Sequence, residues 1–103
     1  MTTPEPGSFA EHLYRQAGEN RDRTITDWTA RARYARESRE LGELLPAWST
    51  GELLAVAVIN DDRDLLEELD YTREAAVDRL RYDLGATPDV AEQIFRDIQA
   101  RIA

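Results

Sequence analysis

Apolar and polar residues along most of this chain recur with the three-to-four-residue spacing of helices that bury one face. The exception is a run of seven consecutive apolar residues from Leu53 to Ile59. A run of this length fits a buried strand or part of a buried helix, because periodicity alone does not separate the two. Its β-branched residues favour a strand, whereas its two interspersed alanines favour a helix.

The residues just before this run favour the helix. In "STGE", Ser49 and Glu52 have the spacing of a capping box, in which each side chain bonds the other residue's backbone N–H. Trp48 precedes the cap and can pack on Leu53, as in a hydrophobic staple. A helix that is apolar on every side should be buried, so we predict a central helix at about residues 50–60.

Amphipathic segments flank this central helix on both sides. Ser8 and Glu11 form another capping box, which predicts a short helix that runs to about Ala17 and stops near Gly18. After a polar loop, a second helix is predicted over residues 26–41. Three further helices are predicted at residues 62–69, from Thr72 to Gly85, and from Thr87 to the end of the chain.

The length of 103 residues suits one domain, and 42% hydrophobic with 33% charged residues is the balance of a folded protein. We therefore predict a single all-α domain over residues 8–103, compact and built from five or six short helices, with residues 1–7 as a disordered tail. No apolar run approaches the roughly 20 residues that span a bilayer. The first residues lack the basic and apolar segments of a secretory signal. We expect a cytoplasmic protein with no membrane partner.

Composition excludes several kinds of chemistry. The chain has neither Cys nor Lys, so thiolate nucleophiles, zinc–thiolate sites, Schiff bases and lysine-dependent phosphate loops are ruled out. Its 21 acidic residues outnumber 13 arginines, and the whole net charge of −8 lies in residues 43–103. That part of the chain should repel nucleic acid and membrane phosphate.

The candidate catalytic and metal-binding patterns fail on inspection. His12 is the only histidine, and no nucleophile motif accompanies it. Residues 60–71 imitate the acidic spacing of a calcium-binding loop, but Leu65 and Tyr71 stand where that loop needs Gly and Glu. We therefore predict a protein that is not an enzyme, with no cofactor, no metal and no small-molecule substrate.

The predicted helix 26–41 is the best candidate for binding a partner. Its apolar stripe is thin, and aromatic and arginine side chains dominate the hot spots of protein interfaces. We predict a partner-binding site at Trp28, Arg31, Tyr34 and Arg36, which implies a non-catalytic protein-interaction or regulatory module that binds another protein or its own copy. The alternative is that this helix only covers the core through Trp28.

The stretch "WSTGELLAVAVIN" with "LDYTREAAVDRLRYDLG" resembles segments of small α-helical proteins of actinobacteria and their phages and plasmids, which have no known biochemical role. The resemblance implies a phage or mobile-element accessory protein and assigns no site. Two other functions stay open. The acidic surface fits a nucleic-acid mimic that inhibits a DNA- or RNA-binding host protein. The arginines of helix 26–41 fit weak nucleic-acid binding, which Glu37 and Glu40 oppose.

Overall fold

The computed structural model describes residues 7–102 and contains, within that range, five helices and no strand. The helices are α1 (Phe9–Glu40), α2 (Thr50–Ile59), α3 (Arg63–Glu68), α4 (Arg73–Leu84) and α5 (Pro88–Ile102). The prediction of a single compact all-α fold is confirmed. Residues 1–6 of the predicted disordered tail lie outside the described part of the chain, so the tail stays a prediction.

Helix α2 is the centre of the fold, as its sequence predicts. Ser49 Oγ accepts a hydrogen bond from the Glu52 backbone N at 3.2 Å, and Glu52 Oε1 accepts one from the Ser49 backbone N at 3.0 Å. All six residues from Leu54 to Ile59 are buried. The helix packs against each of the other four. The capping box is confirmed, and it satisfies N–H groups that the buried helix would otherwise leave without partners.

Helix α1 is one continuous helix of 32 residues, so the predicted break near Gly18 and the predicted loop that follows are wrong. A glycine inside a helix costs only about 1 kcal/mol relative to alanine, which weakens a helix without ending it. Thr24 donates its hydroxyl to the Asn20 carbonyl within the helix at 2.9 Å, so the chain is helical across the predicted break. Two predicted short helices are therefore one long helix.

Arg21 marks the point where α1 meets the rest of the protein. Its Nε donates to the Leu84 carbonyl at 2.8 Å, and its Nη2 donates to the Gly85 carbonyl at 2.9 Å. These carbonyls belong to the end of α4, where backbone acceptors lack partners within the helix and a positive charge is favourable. Before this contact, every residue from His12 to Asn20 is exposed. We call residues 9–20 the α1 arm.

The core forms where α1, α4 and α5 surround α2. The Trp28 and Phe95 rings stack with their centroids 5.8 Å apart, and both side chains are buried. Around them lie the other large buried side chains of the cluster, Leu54, Val58, Ile59, Leu80, Leu84 and Ile98. The thin apolar stripe of the predicted helix 26–41, which consists of Trp28, Ala32 and Ala35, is buried, as the alternative to partner binding requires.

We predict that Gly18→Ala stabilises the α1 arm. A Cβ added at Gly18 meets no atom within 4 Å, so alanine gains about 1 kcal/mol of helix propensity without a clash. The check is amide hydrogen exchange, which should slow at residues 14–20. The control is Gly85→Ala, because Gly85 has a left-handed φ of +58° and alanine should destabilise the protein there. Unchanged exchange in Gly18→Ala would contradict a continuous helix.

We also predict a pH-dependent contribution from the ion pair between α4 and α5. The two terminal nitrogens of the Arg73 guanidinium contact the Glu92 carboxylate, at 2.9 and 2.7 Å. This hydrogen bonding lowers the pKa of Glu92 below its ordinary value of 4.5. The stabilisation is complete above that ordinary value and is lost as pH falls through the lowered folded-state pKa. In chemical denaturation, Glu92→Gln should be less stable than the parent at pH 7, and the gap should close in acid. Glu74→Gln, at an exposed position of α4, should show no such gap.

Candidate interaction groove

The segment that joins α1 to α2, residues 41–49, leaves the helix at a sharp turn. Gly42 adopts a left-handed φ of +70°, which glycine accepts without strain, and the Glu43 backbone N donates to the Ser38 carbonyl at 2.8 Å. Pro46 then keeps the segment out of helical geometry. The chain then continues without regular secondary structure until α2 begins at Thr50, and we call residues 41–49 the strap.

A groove of about 500 Å³ lies between the strap, the C-terminal part of α1, α2 and α3. Its volume is in the range of ordinary ligand pockets. Its floor is apolar and comes from three helices, with Ala35, Leu53, Val56 and Leu65. Charged side chains surround this floor, namely Arg36, Arg39, Glu43, Asp62, Asp64 and Glu68. A groove with an apolar floor and a charged rim can bind an apolar side chain of a partner whose neighbouring residues are charged.

The rim of the groove is acidic because four carboxylates line it with only two arginines. Arg36 donates from Nε to Asn60 Oδ1 at 2.8 Å and from Nη1 to the Ile102 carbonyl at 2.6 Å. Arg39 forms a salt bridge with Asp62 at 3.4 Å. Within residues 7–102, no arginine forms a salt bridge with the carboxylates of Glu43, Asp64 or Glu68. The acceptors of Arg36 are neutral, so its charge offsets only one of these three carboxylates, and the rim keeps a net charge of −2.

Two leucines of the strap stand at the mouth of the groove, and sequence reasoning missed them. Leu44 is 95% exposed, and Leu45 beside it is half-buried. Leu41, at the start of the strap, is 65% exposed. A leucine pair directly before a proline was the available signal. An apolar side chain left almost wholly in water is one that a binding partner can bury.

The structure separates the four predicted partner-binding residues into two groups. Trp28 is only 4% exposed and is stacked on Phe95, so its surface is used within the core. Arg36 is used within the chain by the hydrogen bonds described above, although its side chain also lines the groove. Neither residue is free for a partner in the way the sequence suggested.

Arg31 and Tyr34 meet Trp48 at the other end of the strap. The Arg31 guanidinium lies 5.2 Å from the centroid of the Trp48 ring, and the Tyr34 ring approaches that ring edge-on at 5.9 Å. Arg31 also contacts Asp27 at 2.8 Å and Glu52 at 2.6 Å. The hydrogen bond from Arg31 to Asp27 raises the pKa of the guanidinium. This cluster fixes the strap to α1, and Tyr34 remains 48% exposed.

Other kinds of site find no support in the described part of the chain. No group of three or more His, Cys, Asp or Glu side chains there could hold a metal ion. None of the described helices combines the length and the apolar character that crossing a membrane requires. No known family model matches the chain, and no curated protein or solved structure matches it either. The function must therefore be argued from the groove and the surfaces around it.

We predict that Trp28 and Tyr34 differ sharply in what they contribute to stability. Removing the buried indole in Trp28→Ala should cost about 3–5 kcal/mol, because it leaves a cavity against Phe95. Tyr34→Ala should cost about 1 kcal/mol or less, since the ring is half exposed and loses only its edge contact. Urea denaturation measures both values. Equal losses in the two variants would contradict the core position of Trp28.

Proposed function

We propose that this chain is a non-catalytic protein-interaction module whose groove binds an apolar, basic segment of a partner protein. The observation that carries the proposal is the combination of an apolar floor with an acidic rim in one groove of about 500 Å³. A regulatory role in a phage or mobile element is the setting that the sequence resemblance suggests.

The chemistry of the partner follows from the floor and the rim. A leucine- or phenylalanine-sized side chain fits against Leu53 and Leu65, which are half-buried, and covers Leu44. Full burial of such a side chain contributes about 1.5–3 kcal/mol. Lysine or arginine on either side of that anchor would pair with Asp64 and Glu68. The net charge of −8 adds a long-range attraction for basic partners and speeds their association.

The contacts of the arginines on α1 favour a protein partner over nucleic acid. Phosphate binding needs arginines that are free to reach the backbone of the nucleic acid. Six of the seven arginines on α1 instead have acceptors within the chain, namely Arg15, Arg21, Arg23, Arg31, Arg36 and Arg39. A nucleic-acid mimic would use the same acidic surface as our proposal, but it would not need the apolar floor.

The proposal predicts which peptides the protein selects. From a random peptide library displayed against the immobilised chain, we expect enrichment of a large apolar residue flanked by Arg or Lys. A synthetic peptide made from the enriched sequence should bind the free chain in solution. Isothermal titration should then show about ten-fold weaker binding to Leu44→Ser, because roughly 1.4 kcal/mol of apolar contact is lost. Asp64→Asn with Glu68→Gln should weaken binding and reduce its dependence on salt.

Val90→Ser is the matched control, since Val90 is an exposed apolar residue on α5, outside the groove lining. It should bind the selected peptide like the parent chain. Binding that falls with salt but is the same for Leu44→Ser and the parent would contradict the groove and favour the nucleic-acid mimic. Selection of acidic peptides, or of none, would contradict the proposal outright.

A further inference from the structure

One wall of the groove is the strap, whose backbone has free hydrogen-bonding groups at this wall. Four consecutive strap residues, 43–46, line the groove. Within residues 7–102, the N–H groups of Leu44 and Leu45 donate to no acceptor, and the carbonyls of Glu43, Leu44 and Leu45 accept from no donor. Unpaired backbone groups at a protein surface are solvated by water. The strap therefore borders the apolar floor with backbone groups that another chain can bond.

The sequence favours an extended backbone along this wall. Leu45 precedes Pro46, and the proline ring clashes with helical geometry at the residue before it. Leu44 is 95% exposed whereas Leu45 is half-buried, as neighbouring residues of an extended chain are when one side faces the protein. This part of the strap therefore resembles the edge strand of a sheet, which presents a row of unpaired N–H and C=O groups.

An apolar side chain bound on the groove floor would displace water from this wall. A buried N–H or C=O without a partner is costly, so the bound segment has to supply hydrogen bonds to the strap. A helical segment cannot supply them, because its own backbone groups are already bonded within the helix. An extended segment can, because its backbone N–H and C=O groups are free to pair with a neighbouring chain.

We propose that the partner segment binds in an extended conformation and pairs with the backbone of the strap. This inference rests on the proposed function of the groove and specifies the form of the segment it binds. In an extended backbone, the N–H and C=O of one residue point to one side, and those of the next residue point to the other. Either Leu44 or Leu45, and not both, therefore bonds the partner. Pairing ends at Pro46, which has no N–H.

The extended form also sets the spacing of the partner's side chains. Alternate side chains of an extended segment point to the same side, whereas side chains on one face of a helix are three or four residues apart. Basic side chains that reach Asp64 and Glu68 should therefore stand two positions from the apolar anchor. In the enriched library sequences, a spacing of three or four positions would contradict the extended form.

Amide exchange of the full chain tests the pairing directly, with the synthetic peptide made from the enriched sequence as the probe. Measured by NMR at saturating peptide, exchange with water should slow at least ten-fold at one of Leu44 and Leu45. Ala47 is the control and should not change, because its N–H also lacks an acceptor within residues 7–102 but lies outside the groove lining. Equal protection of both leucine amides, or of neither, overturns the pairing.

Ester substitution in the same peptide tests the pairing from the partner's side. Replacing one amide by an ester removes one N–H and leaves the side chains in place. The ester should weaken binding about three- to ten-fold at a position next to the strap and leave it unchanged at the adjoining position, which points away.

The outcomes separate this inference from the proposed function. A peptide that binds the parent chain more tightly than Leu44→Ser but tolerates an ester at every position overturns the extended pairing alone. A bound peptide whose Cα chemical shifts are helical does the same. If no peptide binds the chain, both proposals are overturned.

Discussion

The structure depends on the burial of α2, and this burial is possible because α2 satisfies its own backbone. A helix whose middle is enclosed by four others still needs acceptors for the N–H groups at its start. The reciprocal bonds between Ser49 and Glu52 supply two of them, at an end of the helix that is exposed. The hydrogen bonding of Ser49 also keeps the pKa of Glu52 low, so this carboxylate remains an acceptor down to acidic pH. Every other helix is positioned by its contact with this one.

Polar contacts then fix the outer helices around α2 at a few points. The Asn60 side chain, at the end of α2, accepts from Arg36 and donates its amide to the Ala32 carbonyl at 3.1 Å. Gln99 on α5 donates to the carbonyls of Val58 and Ile59, which lie in the last turn of α2. Side-chain hydrogen bonds thus attach the C-terminal end of α2 to α1 and α5. At the N-terminal end, the capping box supplies the hydrogen bonds. Few polar groups remain to be solvated around the core.

The sequence predicted the parts of the fold that local chemistry determines. The caps at Ser8, Ser49 and Thr72 and the left-handed Gly85 are where their patterns placed them. The continuity of α1 was not predictable in this way, because Gly18 is a weak signal and the Arg21 contact that holds the helix is formed with residues 63 positions away. Trp28 was predicted to bind a partner because the ring on which it stacks, Phe95, is distant in sequence and could not be foreseen as its neighbour.

The groove could not be predicted at all, because its floor combines side chains from α1, α2 and α3 whose proximity is a tertiary property.

The continuity of α1 also has a mechanical consequence. Leu13 and Ala35 lie on one uninterrupted helix, about 33 Å apart at 1.5 Å per residue. The helix therefore fixes the distance between the arm and the groove.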